Sequence, residues 1–203
     1  MGRVPTDGAA MKPIQVMRYR GVTAVSSHTD DFNVNTLSQY TQYADVSANW
    51  SIANGYLLAT TGVQSVLTRN GVSFADGQIS AIITKASDTG LVLRLKDNSN
   101  YYVAVIVDGS SDVVSARNSV IVYKRVGGNY TTVGQRAGIS SFVRGTPKNL
   151  SFSAVGNALT VKVDGVTYIS ATDSSITGAG LCGTRVNSEA TTNEHSFDSL
   201  TWP

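Results

Sequence analysis

The stretch SVIVYKRVGGNYTTVG, residues 119–134, reads as two β-strands folded back on one another. Its first half is rich in β-branched and aromatic residues, and Tyr130 to Val133 repeat that character after Gly127-Gly128-Asn129. Such a triplet tolerates the positive φ that a tight antiparallel turn demands. ALTVKVDGVTYIS, residues 158–170, follows the same pattern around Asp164-Gly165. Alternation there sets Leu159, Val161 and Val163 on one face and Thr160 and Lys162 on the other.

Outward from these hairpins, short alternating or β-branched runs recur along the chain after residue 30, among them YLLAT, QISAIITK, LVLRLK, YYVAVIV and LSFSAV. Asn54-Gly55, Asn70-Gly71, Asp76-Gly77 and Asp108-Gly109 punctuate them as turns. No amphipathic helical period interrupts the series. About a dozen strands joined this way imply a two-sheet antiparallel sandwich or jelly roll. In LVLRLK the alternation predicts Leu91, Leu93 and Leu95 inward, with Val92, Arg94 and Lys96 outward. In YYVAVIV, Tyr101, Val103, Val105 and Val107 share one face and Tyr102, Ala104 and Ile106 the other, so both faces are covered or one lines a groove.

With 203 residues, one such domain accounts for the chain. Residues 1–28 differ from the rest: they hold two of the four prolines, and IQVMRYRG is their one plausible strand. We read 1–28 as an arm for assembly or attachment and 29–203 as the domain. Charged residues are 15% of the chain, and the net charge of +2 is spread without basic runs, which excludes the clustered cationic footprint of a nucleic-acid binder. No apolar run reaches the roughly 20 residues of a membrane span, and the N-terminal thirty residues lack the apolar centre of a secretory signal.

GAGLCG, residues 178–183, matches the dinucleotide-binding spacing G-x-G-x-x-G. The residues after Gly183 are too few and too polar to supply the helix and second parallel strand that such a loop requires. We read it instead as the start of a late strand, with Leu181 packed inside and Cys182, the single cysteine, buried and unreactive. Catalytic patterns are equally thin. A glycosidase needs two carboxyl groups across one groove, and the two glutamates, Glu189 and Glu194, sit in the polar loop EATTNE. His195 reads as a surface or edge residue, and no G-x-S-x-G elbow accompanies it. The loops KDNSN (96–100) and DGSSD (108–112) offer oxygen ligands of the kind calcium takes, although they read first as turns. No cofactor is expected. The aromatic residues, joined by outward cations and amides, form the best candidate groove for a sugar: Trp50, Arg94, Tyr101, Tyr102, Tyr123, Arg185 and Asn187.

Several segments together resemble the concanavalin A-like lectin and glucanase superfamily, the laminin-G-like jelly roll. They are DDFNV with a following W and NGYLLAT, SFADGQISAIIT, GLVLRLKDNSNYYVAVI, the two hairpins above, and the terminal HSFDSLTW. The resemblance implies a curved sandwich whose concave sheet carries a glycan site and whose last strand pairs with the first. The catalytic E-x-D-x-x-E strand of the glucanases and the Asp/Asn metal loop of legume lectins are both missing. An unexported, disulfide-free domain of this type behind an arm also resembles structural proteins of tailed bacteriophages. That likeness implies a non-enzymatic virion component of tail, fibre or capsid surface. Its many copies would contact other virion proteins through residues 1–28 and meet host-surface carbohydrate, with no membrane insertion. The alternatives are a carbohydrate-active hydrolase of the same fold and a purely architectural decoration subunit.

Overall fold

The computed structural model describes residues 27–44, 48–60, 64–109, 111, 114–187 and 194–203. The expected arm, 1–28, therefore lies outside the described residues except for Ser27 and His28. Among the described residues the strands are β1 (His28–Asp30), β2 (Tyr40–Ala44), β3 (Asn49–Ala53), β4 (Tyr56–Thr60), β5 (Ser65–Phe74), β6 (Gly77–Lys85), β7 (Ser87–Asp97), β8 (Asn100–Val107), β9 (Ser119–Val126), β10 (Asn129–Arg136), β11 (Lys148–Val155), β12 (Ala158–Val163), β13 (Val166–Thr172), β14 (Gly180–Val186) and β15 (Glu194–Trp202). Two 3-10 turns, Leu37–Gln39 and Val114–Ala116, are the helical elements among them.

The strands form two sheets with all pairings antiparallel. One runs β13-β12-β11-β6-β15-β4-β3, with β1 added beside β15. The other runs β10-β9-β8-β7-β14-β5-β2. Both hairpins read from the sequence are present: Asn129 lies opposite Val126 across Gly127-Gly128, and Val163 opposite Val166 across Asp164-Gly165. Asp164 and Gly165 take φ of 50° and 80°, as such two-residue turns require.

Between the sheets lies one apolar core. Leu159, Val161 and Val163 of β12 face inward as the alternation demands, beside Leu150, Phe152 and Ala154 of β11 and Ile79, Ala81 and Ile83 of β6. Leu91, Leu93, Tyr102, Ala104, Ile106, Val120 and Val122 meet them from the second sheet. Each of the larger aliphatic and phenylalanine side chains contributes roughly 1.5–3 kcal/mol by leaving water.

Three expectations fail locally, each for a register reason. Leu95 does not join Leu91 and Leu93. Past Leu93, β7 spends four residues reaching Asp97 where β8 spends two, and Arg94 sits in this bulge with φ 53°. The extra residues flip the alternation, so Val92 and Leu95 lie together in a second cluster on the outward side. Asn70-Gly71 is not a turn between strands but part of a bulged segment inside β5. Leu181 is half-buried on the outward side, whereas Cys182 points into the core.

GAGLCG itself belongs to close strand packing. A Cβ on Gly183 would sit 2.0 Å from the Leu67 carbonyl oxygen of β5, and one on Gly180 would sit 2.5 Å from the Arg94 carbonyl carbon of β7. Glycine lets three strands approach where any side chain would part them.

Candidate functional site

Strand β8 lies inside the seven-stranded sheet, between β9 and β7, and is covered on both faces. Tyr102, Ala104 and Ile106 enter the core, while Tyr101, Val103, Val105 and Val107 build the outward cluster with Val66, Val92, Leu95 and Ile121. Tyr43, Ala116, Tyr123 and Leu181 pack on that cluster and are themselves partly exposed. The outward face is therefore an apolar floor with an aromatic and polar rim.

The rim is densest where β7 to β10 and β14 meet. Tyr130, on edge strand β10, lies over the sheet with its ring edge-on to Tyr101 and Tyr123, centroids 6.2 and 6.0 Å away. Its hydroxyl is hydrogen-bonded to the Tyr101 hydroxyl and to Nε2 of Gln64, which also donates to Tyr101 at 2.6 Å. The Arg125 and Arg185 guanidinium carbons stand 5.3 and 6.0 Å from the Tyr130 ring centroid, within cation–π range. Burial pushes the Tyr130 and Tyr123 hydroxyls above the ordinary tyrosine range, so both stay neutral donors. Yet Tyr130 remains 37% exposed.

Asp88 anchors the other side. It is the extra residue of a bulge, because Ser87 and Thr89 of β7 oppose the adjacent pair Val107 and Ile106 of β8. With φ 53°, it turns its carboxylate outward, where it forms an ion pair with Arg185 and accepts a 2.6 Å bond from the Asn187 amide. Burial works against the Arg185 charge, but the Asp88 carboxylate together with the Tyr130 and Tyr101 hydroxyls outweighs it and raises the guanidinium pKa. Behind the bulge, Thr89 Oγ1 is bonded to Nδ1 of His195 at 2.7 Å. His195 is thus buried between the sheets rather than at a surface, with its pKa lowered to about 4 chiefly by burial. Strained backbone held by surrounding contacts is a common companion of binding sites.

Of the seven residues singled out from sequence, Tyr101, Tyr123, Arg185 and Asn187 converge here. Tyr102, Arg94 and Trp50 do not. Tyr102 points inward; its hydroxyl donates to Asp173 at 2.7 Å, accepts from the Ile176 amide, and is pushed up to about 12 by burial. Burial would raise Asp173, but bonds from Lys124, Tyr102 and Ser175 hold it below the usual carboxylate range. Arg94, 2% exposed, clamps the carbonyls of Ala75, Ile176 and Gly156 at 2.9, 3.0 and 2.6 Å. Trp50 lies on β3 of the other sheet, donates to Ser65 Oγ at 3.0 Å, and lines a separate edge cavity of about 310 Å³.

Sequence reasoning passed over Asp88, Arg125 and Gln64, and named Tyr130 among the aromatic residues without selecting it. The Asp88 bulge, invisible to alternation, brings Asp88 to Arg185 and Asn187, and Gln64 meets Tyr130 and Tyr101 across the sheet. Among the described residues no group of three or more His, Cys, Asp or Glu side chains is placed to hold a metal. KDNSN is a hydrogen-bonded turn, with the Asp97 carboxylate accepting from the Ser99 amide and the Asn100 side chain. Part of DGSSD lies outside the described residues. No described helix is long and apolar enough to cross a membrane.

No family model matches the chain, and no curated protein matches it by sequence. Solved structures do match. The carbohydrate binding module CBM66 from Bacillus subtilis superposes with a TM-score of 0.62 at 18% identity, over 81% of this chain and 91% of that one. A β-glucanase from Bacillus licheniformis gives 0.59 at 11% identity, over 88% and 98%. The fold is a concanavalin A-like jelly roll. The lumenal domain of VIP36 in its Ca²⁺- and mannose-bound form also shares it, with a TM-score of 0.59 at 12% identity over 81% and 82%. A jelly roll hosts both binding modules and hydrolases, so the fold leaves activity open and the site must decide.

Proposed function

We propose that this jelly roll is a non-catalytic carbohydrate-binding domain whose ligand sits on the outward face of the seven-stranded sheet, against Tyr130 and Tyr123 and beside Asp88 and Asn187. The observation that carries the proposal is the fixed, one-third-exposed Tyr130 ring next to an oriented carboxylate–amide pair. An aromatic ring covers the C–H side of a pyranose, and a carboxylate with an adjacent amide accepts from and donates to neighbouring hydroxyls. Because Gln64, Arg125 and Arg185 already hold these groups in place, little side-chain freedom is lost on binding.

Binding rather than hydrolysis is supported by the carboxylates. Glycoside cleavage uses two across the scissile bond, about 5–9.5 Å apart. Among the described residues Asp88 is the single carboxylate bonded into this cluster, and it is ion-paired to Arg185. β8, an interior strand of the sheet, presents Tyr101 and valines there instead of acids. The broader expectation of multi-copy display on a virion through residues 1–28 concerns a segment outside the described residues. These likenesses lend it no support, so the proposal stops at the binding domain.

The test is a glycan array followed by affinity electrophoresis in the polysaccharides that score, using the intact chain and its Tyr130→Ala and Asp88→Asn variants. Asparagine tolerates the positive φ at position 88, so that variant keeps the bulge. Binding by the wild type and loss in both folded variants is expected, without release of reducing sugar. An array blank for the wild type, or retardation untouched by both substitutions, overturns the proposal. Reducing-sugar release would establish the hydrolase reading instead.

A further inference from the structure

A second feature lies elsewhere, where β5 departs from β14. Thr68 opposes Gly183 and Ser73 opposes Leu181, so six residues of β5 span what three of β14 span. The surplus residues bow out around Gly71, whose φ is 76°. Together with His28 and the Trp202 end of β15 they wall a cleft of about 500 Å³.

Arg69 crosses this cleft in an unusual state. Its guanidinium carbon lies 5.2 Å from the Tyr40 ring centroid and 5.2 Å from that of Trp202, so aromatic rings grip it. His28 stacks on Trp202 at 6.3 Å, with ring planes 19° apart. Among the described residues Arg69 donates no hydrogen bond and forms no ion pair, and its Nη1 is shut off from solvent without an acceptor. The Asp30 carboxylate is engaged elsewhere, by the Phe32 amide, Thr36 and the Tyr40 hydroxyl at 3.0, 2.6 and 2.9 Å. Among the described residues no Asp or Glu lines the cleft.

A guanidinium offers five donors in a planar fork shaped for a carboxylate. Here aromatic rings withdraw its faces from water and fix its plane, while no acceptor among the described residues takes its edge. We propose that the cleft is a receptor for a small carboxylate of sugar-acid size, held by the edge of Arg69, with Phe74 and Val72 against the apolar side of the ring. A volume of about 500 Å³ falls in the range of small-molecule sites. Ser73, exposed on the wall, faces the same space. This site is independent of the Tyr130 face, and either can exist without the other.

The experiment titrates the intact chain with glucuronate and with glucose, which differ only in the C6 carboxylate, following both tryptophan indole N–H signals by NMR. Glucuronate should shift the Trp202 signal saturably in the roughly millimolar range expected of one carboxylate contact, leaving Trp50 as the unmoved internal control. Glucose should shift neither. Arg69→Lys, which keeps the charge and loses the fork, should weaken binding several-fold. Should that variant lose the ring stack, Ser73→Asp keeps it and sets a like charge on the wall, and affinity should fall roughly tenfold. Glucose matching glucuronate, no glucuronate shift at Trp202, or an unchanged affinity in Ser73→Asp would each overturn the proposal.

Discussion

Replacing Arg94 distinguishes a structural clamp from a ligand contact. The side chain is 2% exposed, and its guanidinium serves three carbonyls and Asp76. Asp76 is 57% exposed, so its ion pair is screened and adds little. Gly156 is exposed as well, so water replaces the bond to its carbonyl. The bonds to Ala75 and Ile176 are different, because those carbonyls sit at half-buried and buried residues. At roughly 1.5–3 kcal/mol for each of these two bonds to a charged donor, Arg94→Ala should cost about 3–6 kcal/mol. Arg94→Gly provides an internal control. The native φ of 53° penalises any L side chain by roughly 1 kcal/mol, so the glycine variant should be more stable than the alanine variant by about that amount. Urea unfolding followed by far-UV circular dichroism measures both. Glycan retardation by whatever fraction stays folded should match the wild type. A cost below about 1 kcal/mol for the alanine variant would refute the clamp, since the Ala75 and Ile176 carbonyls would then be satisfied without Arg94. Loss of glycan binding with stability intact would return Arg94 to the ligand face.

Two further outcomes follow from buried titratable groups. His195 has a folded pKa of about 4 against roughly 6.5 unfolded, so the unfolded chain gains a proton first as pH falls; stability should drop by about 3 kcal/mol between pH 6.5 and 4, and His195→Gln should flatten that slope. Equal slopes in the two proteins would remove His195 as the cause. The Cys182 thiol, pushed up to about 12 by burial in the core, should resist a thiol-specific chromogenic reagent at pH 8 and react on unfolding; prompt reaction of the folded protein would contradict its place between the sheets.

Local signals account for what sequence revealed. A hairpin such as 119–134 is specified by neighbours: residues that want a pleated surface, and a turn that needs positive φ. The inward set Leu159, Val161 and Val163 follows from a period of two that nothing interrupts. The same logic failed at Leu95 and at Arg94, because one bulge reverses every face assignment beyond it. Nothing local marks such a bulge, since neither Arg94 nor Asp88 is a residue that seeks a left-handed backbone strongly enough to announce itself.

The sequence by itself determined that this chain is an antiparallel sandwich and that GAGLCG lacks the helix and second parallel strand of a dinucleotide loop, and it pointed to tyrosines and arginines as candidates for a groove. Only the tertiary structure decided which of them meet. Tyr130, Tyr101, Arg185 and Asp88 come from four strands and are joined by the bulged register of β7 on β8 together with those of β9 on β8 and β10 on β9. Arg69, Tyr40 and Trp202 come from three more strands and are joined by surplus length in β5. Both clusters are set by where ladders slip. A slip reflects the packing of whole sheets, which no short window of sequence contains.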